Sequence, residues 1–160
     1  MTPTLSNIVS KLQSLALNHK QVEFFYYGSI VEVLNGSDVT YPACFVEMLG
    51  ITVTTDEDQT KCQFRIWFCD ILNLSEGAKN NYLELQSDLV LIAEDMISMI
   101  NSTLLYDFWT VNTVYPLTFA EEQLRDYVIS VSFDIEISVP YLADRCQVPN
   151  TLNTNVESGI

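Results

Sequence analysis

The run Asp126–Pro140, DYVISVSFDIEISVP, constrains this chain more than any other segment. Every odd position from Tyr127 to Val139 is apolar, and every even position except Val128 is small, polar or acidic. Successive side chains of a strand point to opposite faces, so the alternation predicts one long strand with a dry face and a wet face. The dry face needs a covering layer, and the rest of the chain has to supply it.

Two helices are predicted to do so. The first is expected to begin at Thr2, with Pro3 at the first helical position, where its missing N–H costs nothing. Leu5, Ile8, Val9, Leu12, Leu15 and Ala16 then form an apolar stripe that ends near 18–20. The second follows the loop NLSEGAKNN, with Asn81 as its N-cap and Glu84 reaching back. Its stripe is Leu85, Leu89, Ile92, Met96, Met99 and Ile100, flanked by Val90, Ile97 and Leu104. Burying such a stripe contributes on the order of 10 kcal/mol before chain entropy is subtracted.

The remaining segments read as strands. QVEFFYYG stops at Gly28, SIVEVLNGSD continues extended to an Asn35-Gly36 turn, and YPACFVEML leads to the acidic hairpin tip TTDEDQTK. In CQFRIWFCDIL, Phe64, Ile66 and Phe68 share one face while Arg65, Trp67 and Cys69 share the other, which predicts a central strand covered on two sides. DFWTVNTV and the segment near PLTF are shorter strands separated by a turn at Tyr115-Pro116. Because there is no strand–helix alternation with glycine-rich turns, a doubly wound parallel sheet is disfavoured. The expected fold is a single α+β domain over 1–146, an antiparallel sheet with two main helices packed on one face. Odd positions of the long strand would face the second helix. Residues 147–160 form a polar C-terminal tail, expected to be extended or to act as an inter-subunit arm.

Composition narrows the function. At 160 residues and 48% hydrophobic, the chain is long and apolar enough to fold as one domain. Its net charge is −14, and from Asn81 onward there are 12 acids against two bases, Arg125 and Arg145. Such a surface repels phosphate backbones, which disfavours gripping nucleic acid but not lying beside it. The N-terminus lacks a basic leader followed by an apolar run, so no secretory signal is expected. No segment approaches the ~18 consecutive apolar residues of a membrane helix. The cysteines, Cys44, Cys62, Cys69 and Cys146, have neither C-x-x-C spacing nor disulfide-framework density. Cys62 and Cys69 are seven apart in one strand and should face opposite ways, so a shared metal is not expected and reduced, buried thiols are.

No reaction is named by these residues. The single histidine, His19, falls at the end of the first helix, where a surface or capping role suits it. There is no G-x-S-x-G, no histidine-pair metal motif and no phosphate loop. Asp134 and Glu136 share the wet strand face, but catalysis would also need a cleft that shifts their pKa values. Asp56, Glu57 and Asp58 lack the alternating spacing and glycine of a calcium loop. EFFYYG carries no basic residue among its aromatics and reads as core or sheet face. The chain is therefore expected to be an interaction protein, not an enzyme, with no cofactor or metal. Its candidate contact surface is Asp56, Glu57, Asp58, Ser130, Ser132, Asp134 and Glu136.

The C-terminal half also carries a resemblance. The order FRIWFCDIL, NNYLELQSDLVLIAEDMISMI, PLTFAEEQLRDYVISVSFDIEISVPYLADRCQVP is similar to small neck and tail proteins of tailed bacteriophages. The type is the tail terminator or tail-completion (head–tail connector) protein, especially of Bacteroidetes phages. The elements are a strand ending in Asp70, Ser87-Asp88 approaching a helix, Asp126 opening a long amphipathic strand, and a closing C-x-x-P from Cys146 to Pro149, over roughly 62–149. The resemblance implies an antiparallel sheet with flanking helices and a virion protein made in the host bacterial cytoplasm. It implies a homo-oligomeric ring of about six or twelve copies, contacting adjoining neck, portal or tail proteins. Genomic DNA would pass through it without specific binding, and no membrane is involved. The rival reading is an acidic DNA mimic or regulatory phage protein outside the particle. Mimics carry dense rows of acids on helices, whereas the second helix here has Glu84, Asp88, Glu94 and Asp95 and the first has none.

Overall fold

The computed structural model describes residues 4–36, 38–72, 78–104, 109–123 and 127–140. The expected tail 147–160, Asp126 and Cys146 lie outside the described residues. The elements in chain order are α1 (Leu5–Asn18), β1 (Phe24–Tyr27), α2 (Ile30–Gly36), β2 (Ala43–Thr54), β3 (Gln59–Ile71), α3 (Ala78–Leu104), β4 (Thr110–Val111), β5 (Thr118–Gln123) and β6 (Tyr127–Pro140). This is one α+β domain with a six-stranded sheet ordered β1-β2-β3-β6-β4, in which β5 also pairs with β6.

The alternating run is β6, and the expected central strand is β3. They pair antiparallel along almost their whole length, from Gln59 opposite Pro140 to Ile71 opposite Val128. Odd positions Ile129 to Val139 of β6 are buried in one cluster with Phe64, Ile66 and Phe68 of β3. The same cluster holds Ile8, Leu12, Leu15 and Ala16 of α1 and Leu89, Ile92, Ala93, Met96 and Ile100 of α3. Phe133 sits at its centre, stacked 6.4 Å from Phe68 and edge-on to Tyr115 at 5.7 Å.

The sheet is mixed, not purely antiparallel, because β1 runs parallel to β2. The cause is the segment expected to be extended, SIVEVLNGSD, which instead holds α2. A parallel pair needs a crossover connection, and this helix supplies it. Val33 is buried and Ile30 packs beside it, while Val31 and Glu32 are exposed. That spacing is helical, and the burial it achieves overrides the strand preference of Ile and Val. Val33 joins Ala43, Phe45, Cys69 and Val128 in a second, smaller cluster. These strand positions alternate with those of the first, so Cys62 and Cys69 do face opposite sides. Cys44, Cys62 and Cys69 are free and buried, and burial pushes all three thiols above their ordinary range.

Both helix starts differ from the expected ones. Thr4, not Thr2, caps α1: its hydroxyl accepts the Asn7 N–H at 3.2 Å, and Asn7 Oδ1 accepts the Thr4 N–H at 2.9 Å. This reciprocal pair satisfies two helix-end donors at once. α3 starts at Ala78, so Asn81 and Glu84 lie inside it and not at its cap; Ala78 and Lys79 are strong helix formers that extend it upstream. β1 ends at Gly28, whose φ of +141° is open only to glycine and whose N–H donates to Val46 O at 3.0 Å. A Cβ there would lie 2.9 Å from the Tyr26 ring.

Phe133→Ala is expected to lower unfolding free energy by about 3–5 kcal/mol in chemical denaturation. Thr4→Ala should cost about 1 kcal/mol. A Thr4→Ala protein as stable as wild type would contradict the cap assignment.

Candidate interaction surface

The even positions of β6 stand opposite the second face of β3. Trp67 pairs with Ser132, Arg65 with Asp134, Gln63 with Glu136 and Lys61 with Ser138. Directly opposed side chains in a ladder are close enough to bond, and two of these pairs do. Arg65 holds Asp134 with both prongs, Nε to Oδ1 at 2.7 Å and an Nη to Oδ2 at 2.9 Å. Gln63 Nε2 donates to Glu136 at 3.0 Å. Glu47 of β2 is the cross-strand neighbour on the other side of Arg65, and Arg65 also lies 5.9 Å from the Trp67 ring. The result is a charged belt across three strands, Glu47–Arg65–Asp134, with carboxylates in excess.

The expected contact residues divide. Asp134 is exposed, and Glu136 is half-buried beside it. Ser130 and Ser132 are not an exposed part of this face: they are 7% and 3% exposed, and Ser132 reaches only the floor of a concavity. The neighbouring strand β5 covers this end of β6, with Thr118 opposite Ser132 and Ala120 opposite Ser130. Beside them Trp67 Nε1 is buried without a hydrogen-bond partner among the described residues. Asp56, Glu57 and Asp58 form an exposed turn at the tip of the β2–β3 hairpin, with Asp58 at φ +50° and Glu57 paired to Lys61 at 3.2 Å. That tip lies beside Gln59, which pairs with Pro140, six residues beyond Asp134. At ~3.3 Å per residue the two acidic groups are about 20 Å apart along the strand.

Sequence reasoning missed Asn112. β4 and β5 both pair with the outer edge of β6, one at each end, and leave a gap between them. Asn112 fills it: its Oδ1 accepts the Glu136 N–H at 3.0 Å and its Nδ2 donates toward Asp134 O at 3.4 Å. The side-chain amide stands in for a peptide group of a missing strand, and so holds the backbone that carries Asp134 and Glu136. No local pattern marks such a residue, because its partners are 22 and 24 positions away. Two shallow concavities flank the belt. One, of about 220 Å³, is lined by Arg65, Trp67, Pro116, Thr118, Ser132 and Asp134; the other, of about 320 Å³, by Leu49, Gln63, Asn112 and Glu136.

Three further groups define the electrostatics. His19 ends α1 as its C-cap and bonds Asp95 of α3 through Nε2 at 3.1 Å, tying the helices together. Glu121 of β5 accepts from the hydroxyls of Tyr127 and Tyr82, which hold its carboxyl below the usual carboxylate range. Asp70, at the end of β3, is pushed up by burial and by the nearby charge of Asp88, against the Ile71 N–H that it accepts. Ser87 and Asp88 lie inside α3 and not on the approach to it, and Asp88 is the member of that pair whose charge reaches Asp70. Among the described residues no three metal-ligating side chains cluster, and no helix is long and apolar enough to cross a membrane. No known family model matches the chain, and no curated protein matches it significantly.

Asn112→Ala is expected to cost about 1–3 kcal/mol, since two β6 backbone groups lose their partner. Asp70 gives a pH test. A carboxyl whose folded pKa is raised favours folding below its unfolded pKa, near 3.8, and that contribution is lost as pH rises through the folded value. Asp70→Asn should therefore raise stability at neutral pH, with the gain shrinking as pH falls through the raised folded value and gone below about 3.8. Equal stability of the two proteins across that window contradicts the assignment.

Proposed function

We propose that this protein is a structural ring component of the neck or tail of a tailed bacteriophage, a tail terminator or head–tail connector. The reading takes α1 and α3 as one layer on the outer side of the sheet and the belt around Arg65 as the side that borders the DNA channel. The observation that carries it is the two-sided sheet. One set of strand positions is buried in a cluster shared with α1 and α3 residues, while the other presents Glu47, Arg65, Asp134, Gln63 and Glu136 on three adjacent strands. A net charge of −14 suits a wall past which DNA slides without being held. The belt offers paired charges and shallow hollows, a form better suited to contact with a large surface than to enclosing a small molecule.

The channel assignment is tested by adding charge of the opposite sign. Particles assembled with Gln63→Lys and Glu136→Lys should eject DNA more slowly at low ionic strength, with the difference shrinking as salt rises. An unchanged ejection rate from fully assembled particles would contradict the assignment of this face to the channel.

A further inference from the structure

Among the described residues, two stretches of open strand edge on opposite sides of the sheet match each other. β1 covers β2 at Ala43–Val46 only, so the outer edge of β2 from Glu47 to Thr54 has no strand beside it among the described residues. At the opposite border β5 pairs with β6 alone, and its outer edge is likewise open. Open edges with apolar side chains recruit further strands. Ile51 and Val53 of β2 are 50% and 51% exposed, and Phe119 of β5 is 49% exposed. Ile51 lies opposite Cys62, and Phe119 opposite Val131, both members of the larger cluster. All three therefore project from the same side of the sheet as α1 and α3. Beside Phe119, Leu83 and Leu91 of α3 are 69% and 56% exposed and border an apolar groove of about 400 Å³ together with Val90.

We propose that the β2 edge of one copy joins the β5 edge of the next, with Ile51 and Val53 seated against Phe119 and the Leu83–Leu91 groove. The inference deepens the ring reading and rests on it. Strand polarity agrees: β2 is antiparallel to β3, β3 to β6 and β6 to β5, so β2 and β5 run oppositely. Copies that keep the same face outward then meet in antiparallel register. The contact uses two different patches, so it is heterologous, the kind that closes rings or continues as a filament. The open part of β2 lies level with β6 residues 134–140, and β5 with 127–132. Seating Ile51 and Val53 against Phe119 thus staggers neighbouring copies by roughly 6–8 residues, or roughly 20–26 Å, across a repeat of four strands about 19 Å wide. That corresponds to a strand tilt of roughly 46–54°, at and beyond the steep end of the range of closed barrels. Strand polarity identifies the occupant as a second copy, and charge sets the sign of the salt dependence. Two copies of a chain at −14 repel, so salt should strengthen this contact, whereas it would weaken docking of a basic partner.

The test is cross-linking of full-length protein in a Cys146→Ser background with a short bismaleimide, the remaining cysteines being buried. Val53→Cys/Phe119→Cys should give a ladder of dimers, trimers and longer species that grows with NaCl, and either single variant should remain monomeric. Dimers from a single variant would overturn the proposal in favour of two-fold pairing of like edges. No ladder from a folded double variant at high concentration and high salt, or a ladder that salt dissolves, would also overturn it. Presence and copy number in phage particles report on the ring reading separately, so the two can fail independently.

Discussion

The antiparallel ladder between β3 and β6 is the interaction on which the rest depends. It sets Phe64, Ile66 and Phe68 beside Ile135, Phe133 and Val131, and the same register sets Gln63, Arg65 and Trp67 beside Glu136, Asp134 and Ser132. A one-residue slip of β6 would turn Asp134 and Glu136 into the apolar cluster and Phe133 and Ile135 out of it. The hydrophobic face therefore fixes the register, and the polar pairs follow from it. The ion pair itself contributes little to stability, since Arg65 and Asp134 are 40% and 54% exposed. It matters for where it puts charge.

Each border of the sheet is then finished by a different device. On one side α2 carries the chain from β1 across to β2 and seals Phe45 and Cys69 with Val33. On the other, β4 and β5 share the edge of β6, and the Asn112 amide closes the gap between them. Tyr82 and Tyr127 converge on Glu121 and lock β5 to α3 and β6. Among the described residues, the distal half of β2 and the outer side of β5 stay open, and there exposed apolar side chains lie along an unpaired strand edge.

Much of this was legible from the residues. Strong period-2 alternation revealed β6 and both faces of β3, and period-3.6 stripes revealed α1 and α3, because each pattern reports a single burial interface. α2 was not legible: seven residues give too few turns for a stripe, and Ile30, Val31 and Val33 favour strands when read locally. The parallel β1–β2 pair was lost with it. For the surface, Asp134, Glu136 and the acidic hairpin tip were read as exposed and are largely so, but Ser130 and Ser132 were not separable from them. Small polar side chains look alike in a pattern, and only the neighbouring strand β5 decides which ones it covers. Asn112 was invisible because its role depends on a gap between two strands.

Quantitative mass spectrometry of purified particles tests most directly the proposal that this chain is a stoichiometric part of a phage ring. A ring component is expected at a fixed copy number of about six or twelve per particle. Absence from intact, infectious particles would contradict the claim and favour the acidic regulator that never enters the virion.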